Sequence, residues 1–147
     1  MTHNWLELQN AALVEVTSEA DGFPIEGALL PYQERGWRAG TAGTQTIRLL
    51  FDEPQTIRTI CLLFKENQAA RTQEFLLRWR PHGTALWRDV VRQQWNFSPP
   101  HTAEEREAYK VDLVSAAALE LSVNPDVSQH GVRASLEKMQ LSVEERA

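Results

Sequence analysis

A chain of 147 residues, 42% of them apolar, has the length of one domain, and folding at that size removes roughly 70% of the surface that the unfolded chain exposes. Its single cysteine excludes a disulfide framework and a CxxC metal or redox pair, and a formal net charge of −5 argues against a protein held on nucleic acid by phosphate contacts alone. No stretch approaches about 18 consecutive apolar residues, and the amino terminus has no basic run followed by an apolar one, so the expectation is a cytoplasmic protein that does not span a membrane.

Helical periodicity is not sustained anywhere, and only short helical turns are predicted, at residues 5–12 and 25–30. The first predicted strand is 13–17. Residues 45–64, QTIRLLFDEPQTIRTICLLF, read as two more. Ile47, Leu49 and Phe51 alternate with Thr46, Arg48 and Leu50, and Ile57, Ile60, Leu62 and Phe64 build a second apolar run. The polar residues 52–55, with Pro54, read as the turn of an antiparallel hairpin. The same pattern recurs at 74–80, 87–97, 109–113, 119–123 and 136–141. Eight candidate strands without a repeat or linker predict an all-β fold, an eight-stranded antiparallel β-sandwich in one domain with its core between about residues 13 and 141. Ile47, Leu49, Phe51, Leu62, Phe64, Phe75, Leu77, Tyr109, Leu119, Leu121, Leu136 and Leu141 are expected in that core, and Cys61 is expected to be a buried, inert thiol.

The connections alternate in length. Those at 18–44, 65–70, 98–104 and 124–133 are the longer ones, whereas 52–55, 81–85 and 114–117 have hairpin length. If successive strands run antiparallel, the odd-numbered connections emerge at one end of the sandwich, a rim where loops held by a rigid scaffold carry function. Arg35, Arg38, Lys65, Arg71, His130 and Arg133 lie in or beside those connections and are either solvated charges at a polar rim or the candidate contacts to an anionic or hydroxyl-rich ligand, to which the arginine fork is suited because it holds two oxygens at once. Tyr32 and Phe23, within the long first loop, either pack inside that loop or stack on a sugar ring. Asn124 and Asp126 are candidates for hydroxyl contacts, or simply flank Pro125 in a turn. His82 should sit at the opposite end.

Trp37, Trp79, Trp87 and Trp95 read as core or half-buried. Arg78, Arg80, Arg88 and Arg92 form a basic face if the fourth and fifth strands pair. Glu104, Glu105 and Glu107, like Glu144 and Glu145, read as solvated surface. His3, His82, His101 and His130 make no HExxH motif or close pair. AGTAGT at 39–44 lacks the strand and helix of a dinucleotide site, and neither Ser18 nor Ser135 stands in a GxSxG context. No catalytic residue, cofactor or metal site is expected.

TSEADGFPIEGALLPYQERGW, the segment QTIRLLFDEPQTIRTICLLF, EFLLRWRPHGTALWRDVVRQQWNF, EAYKVDL, LELSVNPD and RASLEKMQL together resemble, in order and spacing, the discoidin or coagulation-factor type C family of galactose-binding-like jelly rolls. The resemblance implies a non-catalytic module that binds carbohydrate, lipid head groups or protein through rim loops. It also implies that Trp37 packs beneath those loops. Family members often carry a calcium-binding acidic segment where this chain has PYQERGW, with Glu34 its one carboxylate. They often close the domain with a disulfide, which one cysteine cannot form. WRAGTAGTQTI also resembles the amino-terminal sandwich of the animal single-strand-break repair scaffold, implying a DNA-end-binding alternative that the net charge disfavours. The expected partner is therefore carbohydrate or a small polar ligand. A protein partner or homo-oligomer is the alternative, and nucleic acid is not expected.

Overall fold

The computed structural model describes residues 4–144, and His3 and Glu145 lie outside that range. Leu8–Ala11 (α1) and Glu26–Leu29 (α2) are single helical turns inside the two stretches expected to hold them. The remaining elements are strands: β1 Ala12–Val16, β2 Trp37–Ala42, β3 Gln45–Lys65, β4 Arg71–Pro81, β5 Arg88–Phe97, β6 Glu104–Asn124, β7 Arg133–Leu136 and β8 Lys138–Val143. Among the described residues no helix is long and apolar enough to cross a membrane.

β3 and β6 organise the architecture. Each has 21 residues, and they run antiparallel from Gln45↔Val123 to Lys65↔Glu104. Their register breaks near Leu50, Gln55 and Ile57. There Pro54 cannot donate to the ladder, and Ser115 on the partner strand takes a left-handed φ of 52°. At this corner both strands pass from one sheet to the other. The first half of β3 and the second half of β6 belong to the sheet ordered β1-β3-β6-β4-β5, whereas the second half of β3 lies between the first half of β6 and β8.

The sheets face each other across one core. Ile47, Leu49, Phe75, Leu77, Leu119 and Leu121 come from the larger sheet and Ile57, Ile60, Leu62, Phe64, Met139 and Leu141 from the smaller, all in one buried cluster. Phe64 and Phe75 stack across the interface with centroids 5.4 Å apart, a pairing that typically adds about 0.5–1.5 kcal/mol beyond buried area. β2 and β7 form a separate antiparallel pair whose Trp37, Ala39, Ala134 and Leu136 join the same core.

The antiparallel β-sandwich is as expected, but its strands are cut differently. Residues 52–55 are no hairpin turn. The halves of β3 pair with β1, β6 and β8 instead of with each other. The sixth and seventh predicted strands are likewise one strand, β6; the eighth divides into β7 and β8; and β2 lies inside what reads as the first loop. Phe51 and Tyr109 are half-buried against the core. Cys61 is half-buried too, pointing away from the alternating Ile60 and Leu62, and burial pushes its thiol up.

No basic face forms on the larger sheet. Glu15, Arg48, Glu120, Arg78 and Asp89 stand in one row across its five strands with alternating sign. Buried Glu120 accepts from Arg48 Nη2 at 2.6 Å and from Arg78 Nε at 3.1 Å, while Arg92 pairs with Glu74. The Trp87 ring packs on this row, its centroid 5.3, 5.4 and 5.8 Å from the guanidinium carbons of Arg48, Arg78 and Arg80. Opposite charges placed directly across strands neutralise the face and stabilise the pairing.

Candidate functional site

A strand that rounds a corner into the facing sheet reverses its direction along the sandwich, as a hairpin would. The odd-numbered connections therefore gather at one end even though two of the expected hairpins are corners. Glu66 N–H bonds to Ala103 O, Arg71 Nη1 to Pro125 O, Val127 N–H to Thr72 O and Gly43 N–H to Val132 O. At the other end Gln55 and Pro81 both face Ala116, and His82 N–H bonds to Ser115 O, which puts His82 away from the rim.

Between the rim loops lies a cavity of about 610 Å³. Of the sequence-predicted residues, Arg35, Arg38, Lys65, Arg71 and Arg133 line it. Tyr32, Asn124 and His130 do not. Tyr32 is 71% exposed and stands outside the cavity. Asn124 Oδ1 accepts the Asp126 amide at 3.3 Å, so it closes a turn. His130 is exposed in the seventh connection.

The first loop is tied to β2 before it reaches the cavity. Ala20 N–H bonds to Arg38 O at 2.8 Å and Arg38 N–H to Phe23 O at 3.2 Å, which brings the Phe23 ring under two guanidiniums, 4.7 Å from that of Arg38 and 5.5 Å from that of Arg35. Gly36 passes so close to the β7–β8 junction that a Cβ there would stand 2.4 Å from Leu136 O; only glycine fits. Farther along, Lys138 Nζ donates to the carbonyls of Gly27, Leu30 and Gln33 at 2.7–3.0 Å and pins the end of α2. Trp37 forms part of the cavity floor from within the core, 1% exposed.

The connection between β3 and β4 supplies the opposite wall. Glu66 accepts the amides of Gln68 at 3.0 Å and Ala69 at 3.4 Å, and Arg71 Nε at 2.6 Å. Burial works against charge on Glu66, but these donors outweigh it and hold its carboxyl below the ordinary range. Arg71 is 6% exposed, stacked 4.6 Å from the Phe97 ring and bonded through Nη1 to Pro125 O and Gln73 Oε1. It is the most fixed cation of the set.

Asp21, Glu34, Glu66 and Glu137 bring carboxylates to the same walls, yet among the described residues Arg35, Arg38, Lys65 and Arg133 stand in no ion pair. With Asn67, Gln68 and Ser135 also lining the cavity, it presents many donors and acceptors beside the Phe23 ring and above the buried Trp37. That arrangement suits a ligand with several hydroxyl or carboxylate oxygens. Among the described residues no three His, Cys, Asp or Glu side chains are grouped to hold a metal ion. Asp21, Glu66, Asn67, Gln68, Ser135 and Glu137 line the cavity without being among the contacts expected from the sequence. The two polar residues that follow Lys65 and Glu66 in a rim connection were the signal available for that wall.

No family model and no curated protein matches the sequence. Solved structures do match the fold. A family 32 carbohydrate-binding module of Clostridium perfringens in complex with GalNAc-β-1,3-galactose superposes with a TM-score of 0.71 at 16% identity, covering 95% of this chain and 99% of that one. Another from the same organism, that of NanJ in complex with galactose, gives 0.66 at 14% identity over 95% and 98%. The family 32 module of AlyQ in complex with 4,5-unsaturated mannuronic acid gives 0.62 at 14% identity over 89% and 94%. The chain therefore has the galactose-binding-like β-sandwich fold of these modules.

Proposed function

We propose that this chain is a non-catalytic carbohydrate-binding module, a single discoidin-like domain that takes a sugar in the rim cavity. The observation that carries the reading is the convergence on one cavity of Arg35, Arg38, Lys65 and Arg133, none of them ion-paired among the described residues, with Arg35 and Arg38 set over the half-buried Phe23 ring. Guanidinium groups donate in pairs to ring hydroxyls and carboxylates, and the Phe23 ring beneath Arg35 and Arg38 holds two of them at the cavity wall. The fold supports the class of function only by analogy, with neighbours in complex with galactose, GalNAc-β-1,3-galactose and an unsaturated uronate. The test is a glycan array followed by nuclear magnetic resonance titration with the strongest binder. Amide shifts should concentrate at residues 20–24, 34–39, 65–71 and 133–135. Shifts centred on Trp87 and the outer face of the larger sheet would locate binding elsewhere, and an array without binders would reject the carbohydrate reading.

A further inference from the structure

A buried polar chain leads from the rim cavity into the sandwich. Arg71 Nη1 donates to Gln73 Oε1 at 3.1 Å, and Gln73 Nε2 donates to Glu105 Oε1 at 3.1 Å. Glu105 and Gln73 are both fully buried, while Glu105 Oε2 accepts no hydrogen bond among the described residues. A buried carboxylate with one oxygen unserved and no cation bonded to it is a costly state. A neutral carboxyl is not, because its Oε2–H becomes a donor, and the carboxyl of Glu107, two residues along the same inward face of β6, is beside it.

We propose that Glu105 is a positioning residue for the rim cavity: neutral, it leaves the Arg71 guanidinium directed at the cavity, and ionised, it competes with a ligand for that guanidinium. The proposal rests on reading the cavity as a ligand site. Arg71 faces the cavity at one end and the Glu105 charge at the other, one glutamine away, so a full negative charge inside draws the guanidinium inward and removes a donor from the wall. The groups that face Glu105 are few. Glu107 and Tyr109 come from its own strand, Arg71 from β4, and Glu66 from the β3–β4 connection through Arg71. β3 offers the uncharged Phe64 opposite Glu105, and β5 offers Trp95 opposite Gln73. Burial first, and Glu107 second, hold the Glu105 proton up to about 8, so the change falls at mildly alkaline pH.

The experiment follows the Glu105 carboxyl carbon and the Arg71 Nε–H by nuclear magnetic resonance between about pH 6 and about pH 9.5, in the full chain and in Glu105→Gln, with galacturonic acid titrated at the ends of the range. The Arg71 signal should move with the Glu105 titration and lose that transition in the variant. Affinity for galacturonic acid should fall about tenfold across the range in the wild type and stay level in Glu105→Gln. If Glu105→Gln does not fold, the wild-type titration alone decides. An Arg71 signal that ignores Glu105, or a Glu105 that titrates in the ordinary carboxylate range, overturns the proposal. Arg71 following Glu105 without sugar binding at any pH would instead keep the coupling and remove the ligand reading.

Discussion

Trp37 Nε1 donates to the carbonyl of Ser18 at 2.9 Å, which ties the tryptophan beneath the rim to the start of the first rim loop. The Ser18 hydroxyl continues the link, donating to Gln45 Oε1 at 2.7 Å and accepting the Gly40 amide at 2.9 Å. One residue thus joins the loop to β2 and β3, and the cavity floor inherits its rigidity from the core.

Ser18→Ala should therefore cost about 1–3 kcal/mol, because Gly40 N–H and Gln45 lose a partner in a half-buried setting. Trp37→Ala should cost about 3–5 kcal/mol as a large side chain leaves the core. Urea unfolding monitored by circular dichroism measures both. A Ser18→Ala midpoint equal to that of the wild type would show that the link carries no stability.

Glu105 gives stability a pH dependence of definite sign. Its carboxyl is raised from 4.5 to about 8 in the folded chain, so between those values the folded state holds a proton that the unfolded state has released. The stabilisation is complete below about pH 4.5, is lost progressively as pH rises to about 8, and is level beyond. Glu66, Glu74 and Asp126 are shifted downward and lose their contribution in acid instead, so the difference between wild type and Glu105→Gln isolates Glu105. The unfolding midpoint of the variant should rise relative to the wild type from pH 5 to pH 8. Parallel curves would contradict a proton held on Glu105.

Glu120→Ala should destabilise by about 1–3 kcal/mol, since Arg78 loses its carboxylate and Arg48 is left with Glu15 at 3.6 Å, both arginines being about a third exposed and partly solvated. Arg48→Ala should cost less, because Arg78 still reaches the carboxylate. A double-mutant cycle on Arg48 and Arg78 should show coupling through Glu120.

Alternation of apolar residues made the sandwich and ten of its twelve expected core side chains readable. It could not distinguish a hairpin turn from a corner, because polar residues and a proline suit both. β2 escaped because WRAGTA lacks a long apolar alternation and is held by the core side chains of Trp37 and Ala39 and by pairing with β7. Glu105 escaped for a sharper reason. A run of glutamates reads as solvated surface, and nothing local reveals that strand alternation turns Glu105 toward Gln73. At the rim, the parity of the connections brought five candidate cations into one cavity, while loop conformation, which parity does not determine, left Tyr32, Asn124 and His130 outside it.

Isothermal titration of the wild type and Arg38→Ala with galactose, GalNAc-β-1,3-galactose and galacturonic acid tests whether the rim cavity is a sugar site. Saturable one-to-one binding by the wild type to at least one of these is expected. Arg38→Ala should weaken that binding by about 1.5–3 kcal/mol while leaving unfolding stability within about 0.5 kcal/mol of the wild type. Binding of equal strength in the variant, or none by the wild type to any of the three sugars, would contradict a sugar site there.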